Sequence, residues 1–173
     1  MSLWIKTNWL VKRIFPKYVW SIPNNEKKVF LTFDDGPTPE ITEWVLLQLK
    51  KYNAKATFFS IGNNIAKHPE IFKTVLKEGH TIGNHTFDHL NGWQTNKEDY
   101  TKNYNRCKEQ ILLHTIPNQY SRLFRPPYGK IKTNQAKQLI KKGYRIIMWD
   151  VLSADFDSSI SPEDCLNNVI LNV

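Results

Sequence analysis

Val29-Phe30-Leu31-Thr32-Phe33-Asp34-Asp35-Gly36-Pro37 is the stretch around which the chain is organised. Its first five residues are apolar, β-branched or aromatic, which is typical of a buried β-strand, and Gly36-Pro37 ends that strand. Two carboxylates, Asp34 and Asp35, stand where the strand ends. Because side chains alternate between the faces of a strand, both can serve one site only if the backbone leaves strand geometry there. The stretch predicts either a functional site or a solvated Asp-Gly turn, which is a common structure.

The composition is that of one globular domain. A chain of 173 residues with 40% hydrophobic residues is long enough to bury a core. The 24 Lys and Arg against 16 Asp and Glu give a net charge of +8, which favours anionic surfaces such as phospholipid or cell-wall polymers. The lysines are scattered and accompany no recognition motif, so we exclude nucleic acid as the expected partner.

Neither the cysteines nor the hydropathy of the chain identifies the cellular compartment. Cys107 and Cys165 lie far apart without metal-ligand spacing, which favours two ordinary thiols and leaves a disulfide open. No uncharged stretch approaches the roughly 18–20 apolar residues that span a bilayer. Basic residues interrupt residues 1–23, so we expect neither a signal peptide nor a transmembrane helix. Cytoplasmic and cell-envelope locations, and the oligomeric state, are left open.

Residues 1–25 form an N-terminal lead-in, and residues 26–173 form the main domain. Trp4, Trp9 and Trp20 alternate with basic residues in the lead-in. This pattern fits peripheral contact of residues 1–20 with a membrane surface. We favour the other interpretation, an N-terminal arm packed over one end of the barrel.

Strand patterns alternate with helix patterns along the main domain. Strands are expected at 28–33, 56–61 (closed by Gly62), 80–83 and 144–149, and Leu123-Phe124 leads into a shaped loop. Helices are expected from Thr38 as N-cap, from Pro69 to Gly79, over 97–114 and 133–142, and from Ser161 to the terminus. This alternation predicts right-handed βαβ units and a parallel sheet, either open or closed as a barrel. The unusual polar clusters follow predicted strands, at the carboxyl ends where α/β proteins build their sites.

His85-Thr86-Phe87-Asp88-His89 is the second polar cluster. Histidines four residues apart lie about 13 Å apart in a strand, too far for one ion, but have Cβ atoms about 5–6 Å apart in a helical turn. Gly83 and Asn84 end the preceding strand, which makes a turn plausible. Two histidines and a carboxylate form a catalytic zinc set with an open water position. Thr86 stands where the metalloprotease helix motif has its glutamate base, so a base must come from elsewhere, and Asp34-Asp35 is the obvious supplier. Two surface histidines in a polar loop are the alternative.

Two further clusters are weak signals when each is taken alone. In Arg125-Pro126-Pro127-Tyr128-Gly129, an arginine after a strand could hold a catalytic carboxylate ionised and oriented. A backbone N–H held by the neighbouring prolines could face a developing oxyanion. Acidic residues and an aromatic residue follow the last predicted strand, within residues 149–156.

Together, the motifs at 32–37, 85–89, 125–128 and 155–156 resemble, in order and context, those of the polysaccharide deacetylases. This is the NodB homology family, or carbohydrate esterase family four, and the resemblance covers about residues 28–173. It implies an α/β fold, a distorted (β/α) barrel, that removes N-acetyl or O-acetyl groups from glycans such as peptidoglycan or chitin-like polymers. It also implies one divalent metal ion, zinc in the first place and cobalt or nickel as alternatives, which would activate the attacking water.

The resemblance assigns roles to the paired aspartates and their partners. Asp34 is similar to the family's general base, and Asp35 to its first metal ligand. His85 and His89 are similar to the other two metal ligands. Arg125 would form an ion pair with the base.

The resemblance also implies residues that contact the substrate. The backbone N–H of Tyr128 would stabilise the oxyanion, and Pro126 would contribute to substrate binding. Asp155 would tune a later catalytic histidine. Phe156 would line the substrate groove, where the family usually has tryptophan.

One family motif, Leu-x-His on a last strand, has no match before the chain ends at Val173. Its histidine protonates the leaving amine, and losing general acid catalysis typically costs about 10²–10⁴-fold in rate. We therefore expect a barrel without its last strand. A catalytically impaired relative that binds metal and glycan is the alternative function. A structural or membrane-surface protein with incidental motifs is a third hypothesis.

Overall fold

The computed structural model of the chain describes residues 5–116 and 120–173. These residues belong to two compact units, one formed by Phe30–Ile146 and one by Met1–Val29 together with Ile147–Val173. Trp4 lies outside the described residues. The predicted boundary between residues 25 and 26 stays a prediction.

Five parallel strands form the sheet of the larger unit, and their order in the sheet is their order in the chain. They are β1 (Leu31–Asp34), β2 (Ala56–Ser60), β3 (Thr81–Asn84), β4 (Leu123–Phe124) and β5 (Arg145–Ile146). The helices of this unit are α2 (Ile41–Lys51), α3 (Gly62–Lys67), α4 (Pro69–Lys77), α5 (Lys97–His114) and α6 (Thr133–Lys141), with a 3-10 turn at Pro127–Gly129. The predicted α/β class and parallel sheet are confirmed, and closure of the sheet into a barrel stays a prediction.

The core of the larger unit joins the middle of the sheet to the helices that cover it. Phe58 of β2 and Ile82 of β3 pack with Ile65 of α3, Phe72 of α4 and Ile111 of α5, all of them buried. Full burial of an aliphatic or aromatic side chain of this size contributes about 1.5–3 kcal/mol to folding. This core holds the carboxyl ends of β1, β2 and β3 side by side.

The prediction of a buried first strand is wrong for its beginning. Val29 and Phe30 are exposed and precede β1, and Leu31, where the strand begins, is exposed as well. Among the described residues β1 pairs with β2 alone, so it forms an edge of the sheet. An apolar run in an edge strand is covered less than the same run between two neighbouring strands.

One predicted helix boundary and one predicted strand boundary also differ. The helix predicted to start at Thr38 starts at Ile41, because Glu40 is its N-cap and the Glu43 carboxylate accepts a hydrogen bond from the Glu40 N–H at 3.0 Å. Gly62 does not close a strand but begins α3. A Cβ at Gly62 would lie 2.8 Å from the Cα of Cys107, so glycine permits the close approach of α3 and α5.

The smaller unit contains α1 (Trp9–Ile14) and α7 (Pro162–Ile170). Asp150 forms ion pairs with Lys12 at 2.5 Å and Lys6 at 3.1 Å. Burial raises the pKa of Asp150, but these two lysines outweigh it and the pKa lies below its ordinary value.

The predicted strand over 144–149 is only two residues long, and the last helix ends at Ile170 rather than at the terminus. Among the residues described here, no helix has the length and hydropathy required to cross a membrane.

Candidate metal centre and catalytic site

The backbone leaves strand geometry at the paired aspartates. Asp34 is the last residue of β1, and Asp35 has a φ of 69°. The N–H of Gly36 donates to the carbonyl of Asp34 at 2.9 Å, and the side-chain amide of Asn64 donates to the carbonyl of Asp35 at 2.7 Å. Neighbouring side chains that would point to opposite faces of a regular strand are thereby free to serve one region.

The segment with the two histidines is a tight loop immediately after β3. Thr86 has a φ of 64° and His89 a φ of 55°, so the loop is neither strand nor regular helix. The side-chain oxygen of Asn84 accepts the N–H of Thr86 at 2.9 Å. The side-chain oxygen of Asn103, on α5, accepts the N–H of Phe87 at 2.7 Å and that of Asp88 at 3.0 Å. These two amides fix the loop and thereby the direction of both imidazoles.

Asp35, His85 and His89 each offer one ligand atom, and these atoms all lie within 4.8 Å of one another. The Oδ1 of Asp35 lies 3.4 Å from Nε2 of His85 and 3.1 Å from Nε2 of His89. The two imidazoles beside its carboxylate hold the pKa of Asp35 well below its ordinary range. One carboxylate oxygen and two imidazole nitrogens suit a divalent ion of the zinc class, and a set of three leaves a coordination position open. The residues present therefore fit the implied metal ion.

Each histidine is oriented through its other ring nitrogen. The Nδ1 of His85 lies 2.7 Å from the carbonyl oxygen of Arg125, which can only accept, so Nδ1 carries the proton and Nε2 has the lone pair. The Nδ1 of His89 lies 3.1 Å from the hydroxyl of Tyr128, whose ring centroid is 4.5 Å from the imidazole. Such partners of a metal-binding histidine set its tautomer and ring orientation.

Asp34 has a different partner from Asp35. The Nη1 of Arg125 donates to Oδ1 of Asp34 and to Oγ1 of Thr32, both at 2.8 Å. Arg125 is only 3% exposed, and its guanidinium carbon lies 4.2 Å from the ring centroid of Phe59. Burial lowers the pKa of Arg125, and the ion pair with Asp34 opposes that shift. Asp34 is therefore held by a fixed cation, whereas Asp35 is held by the two imidazoles.

The loop after β4 presents Tyr128 to this region. Tyr128 has a φ of 59° within the 3-10 turn, and its side chain is 58% exposed. The N–H of Gly129 donates to the carbonyl of Pro126 at 3.0 Å. Among the described residues outside this turn, none accepts a hydrogen bond from the backbone N–H of Tyr128. Pro126 itself is buried beneath the turn.

Asp155 and Phe156 belong to the smaller unit. The carboxylate of Asp155 accepts a hydrogen bond from the hydroxyl of Ser153 at 2.7 Å. Phe156 is exposed. Their predicted roles, tuning a histidine and lining the substrate groove, stay predictions.

Sequence reasoning missed three contributions to the site. Thr32 shares Arg125 with Asp34, and a signal existed, because residues two apart lie on one face of a strand. The Tyr128 hydroxyl contacts His89, although the motif suggested a role for the backbone N–H alone. Asn103 gave no signal, because its contact with the histidine loop depends on the packing of α5.

Comparison with known proteins identifies the family. Residues 21–147 match the family model described as polysaccharide deacetylase. The chain therefore belongs to the polysaccharide deacetylase family, and the predicted resemblance is confirmed.

Similar proteins extend this finding. The chain is 38% identical over 169 residues to a peptidoglycan-N-acetylglucosamine deacetylase of Bacillus cereus, covering 98% of this chain but 59% of that protein. It is 34% identical to a chitooligosaccharide deacetylase of Azorhizobium caulinodans, covering 87% of this chain and 71% of the relative. Among solved structures, the Bc1960 peptidoglycan N-acetylglucosamine deacetylase in complex with 4-naphthalen-1-yl-N-oxidanyl-benzamide superposes with a TM-score of 0.86 at 36% identity. That match covers 96% of this chain and 76% of the other.

Proposed function

We propose that the chain is a metal-dependent hydrolase that removes acetyl groups, N-acetyl in the first place, from a glycan of the peptidoglycan or chitin type. One observation carries the proposal: two adjacent aspartates have separate partners, an arginine for Asp34 and two histidines for Asp35. Neighbouring carboxylates with different partners can take different roles in one reaction. The relatives named above, which carry the names of peptidoglycan and chitooligosaccharide deacetylases, support this substrate class.

Asp35, His85 and His89 would hold the metal ion, for which we propose zinc, with cobalt or nickel as alternatives. Such an ion, when bound, polarises the acetyl carbonyl and makes a water molecule acidic near neutral pH. The donor set of one carboxylate and two imidazoles supports this choice over calcium or magnesium, which prefer oxygen ligands.

The remaining steps of the reaction are carried out by different groups of the site. Asp34 accepts a proton from the attacking water as the water oxygen adds to the acetyl carbon, and Arg125 keeps the carboxylate in position. The backbone N–H of Tyr128 donates to the carbonyl oxygen as negative charge develops on it. Cleavage of the C–N bond then releases acetate, and the proton that Asp34 accepted passes to the amine nitrogen of the sugar, which returns Asp34 to its ionised form.

The alternative of a catalytically impaired relative is not favoured. The base, its arginine and all three candidate ligands are present among the described residues. The third hypothesis, incidental motifs on a structural protein, does not fit a chain that belongs to this family.

Metal removal tests the proposal. Acetate release is measured from an N-acetylglucosamine oligomer and from peptidoglycan, before and after treatment with a chelator. We expect the chelator to abolish release and stoichiometric zinc or cobalt to restore it, because the ion activates the water and the carbonyl together. Release that survives complete metal removal would contradict the proposal, as would bound metal without any turnover.

Tyr128→Phe tests the partner of His89. Removing the hydroxyl leaves Nδ1 of His89 without its neighbour at 3.1 Å, so we expect zinc affinity to fall about tenfold. Affinity is measured by competition with a chromogenic chelator. Tyr52→Phe, at an exposed tyrosine following α2, is the matched control and should leave affinity unchanged. Equal zinc affinity in Tyr128→Phe and wild type would show that the hydroxyl does not orient His89.

A further inference from the structure

An exposed tryptophan, Trp93, is linked to the candidate metal centre through Lys130 and Tyr128 and has no part in the chemistry above. Trp93 is 60% exposed in the turn at residues 91–95, a few residues after His89. The ammonium of Lys130 lies 5.5 Å from the Trp93 ring centroid and 5.9 Å from the Tyr128 ring centroid. Both distances allow a cation–π interaction. Trp93, Lys130 and Tyr128 therefore form a continuous surface, and Tyr128 joins it to His89.

The turn that carries Trp93 is held from beneath by a buried side chain. The amide nitrogen of Gln135, which is 2% exposed, donates to the carbonyls of Gly92 at 3.0 Å and Thr95 at 3.1 Å. The N–H of Gly92 donates to the carbonyl of Lys130 at 3.1 Å, and a Cβ at Gly92 would lie 2.4 Å from that oxygen. Glycine is thus required for this close approach. The rings on both sides of Lys130 are presented by backbone that is already ordered, which reduces the entropic cost of binding a ligand.

The surface has two chemical features that fit one kind of ligand. The face of an indole or phenol ring is electron-rich, so it packs well against the C–H groups on the face of a sugar ring. The ammonium of Lys130 can form a charge-assisted hydrogen bond with a carboxylate. The net charge of +8 makes the approach of an anionic polymer favourable.

We propose that Trp93, Lys130 and the ring of Tyr128 form a sugar subsite that binds a carboxylate-bearing unit of the glycan, next to the unit whose acetyl group is removed. Trp93 packs against the sugar ring, and Lys130 pairs with its carboxylate. This inference rests on the proposed function and narrows it: the substrate is an anionic N-acetylated glycan of the peptidoglycan class rather than a neutral chitin-like chain.

Turnover on two oligomers of equal length tests the subsite. One is a neutral N-acetylglucosamine oligomer, and the other is a peptidoglycan-derived oligomer that carries carboxylates. For Lys130→Gln we expect kcat/KM on the anionic oligomer, relative to the neutral one, to fall about fivefold. Added salt should shrink this difference, because salt screens an exposed ion pair. Lys77→Gln, at an exposed lysine at the end of α4, is the matched control and should match wild type.

Trp93→Ala tests the aromatic part of the subsite. We expect kcat/KM to fall about fivefold on both oligomers through KM, because stacking on the ring binds substrate before the reaction. Zinc affinity and the unfolding midpoint are measured in each variant, and both should equal those of wild type. An unchanged substrate preference in Lys130→Gln, or an unchanged KM in Trp93→Ala, would overturn the subsite.

Binding to the Asp34→Asn protein separates this inference from the proposed function. Calorimetric titration with the anionic oligomer is carried out in Asp34→Asn alone and combined with Lys130→Gln or Trp93→Ala. Weaker binding in both double variants supports the subsite even if no acetate is released by the wild-type chain. Equal binding in all three proteins overturns the subsite even if the chain is an active deacetylase.

Discussion

Asp34→Asn is expected to lower kcat for acetate release by about 10²–10⁴-fold, because an amide cannot accept the proton of the attacking water. The size and shape of the side chain are nearly kept, so the hydrogen bond with Arg125 can persist through the amide oxygen. Zinc affinity should not change, since the three candidate ligands are Asp35, His85 and His89. The measurements are kcat on an N-acetylglucosamine oligomer and the zinc dissociation constant of the same preparation.

Asp35→Asn is the matched control one residue along the chain. The amide is a weaker metal ligand than the carboxylate, so we expect zinc binding to weaken and turnover to recover in part when zinc is added in excess. Asp34→Asn should show no recovery with zinc. If zinc rescued Asp34→Asn as well, the separate roles proposed for the two aspartates would be wrong.

The sequence predicted those features that depend on local patterns. The bounds of α5 are as predicted, because its N-cap residue and its polar helical pattern are local features of the sequence. The departure from strand geometry at Asp35 was predictable from the adjacent Gly36-Pro37. The placement of polar clusters after strands was likewise predictable, because parallel α/β folds bring carboxyl ends of strands to one edge.

Features that depend on distant partners were not predictable from residue patterns. The ion pair between Arg125 and Asp34 joins residues 91 positions apart. The local motif suggested that Arg125 holds a catalytic carboxylate, but only the family resemblance identified that carboxylate as Asp34. Gly83 was interpreted as the end of a strand, but a Cβ there would lie 2.3 Å from the ring of Phe59, the ring that carries the guanidinium of Arg125. Gly83 therefore allows the ring of Phe59 to pack beneath the site, and a contact between residues so far apart in the chain cannot be read from a local sequence pattern.

Replacing Arg125 is expected to affect stability and turnover together. In Arg125→Met, Asp34 loses the one ion-pair partner it has among the described residues, at a site where the arginine was 3% exposed. Breaking such a pair costs about 3–5 kcal/mol, and we expect a value near the lower end because the Asp34 side chain is 32% exposed. Arg125→Lys keeps the charge, so it should retain most of the stability, but it lacks the rigid guanidinium whose Nη1 contacts both Asp34 and Thr32. The measurements are urea unfolding and kcat.

Turnover in Arg125→Lys separates a positioning role from a structural one. If Arg125 positions the base, the lysine variant should be folded and yet lose at least about tenfold in kcat, because the carboxylate is no longer held in one orientation. Zinc affinity should be unchanged, since His85 is oriented by the main-chain carbonyl of residue 125, which every substitution keeps. Arg145→Met, at an exposed arginine of β5, controls for loss of a cation and should resemble wild type. Wild-type kcat in Arg125→Lys would show that the arginine supports the fold alone, and a loss of zinc affinity would trace the defect to the loop that holds His85 instead of to the base.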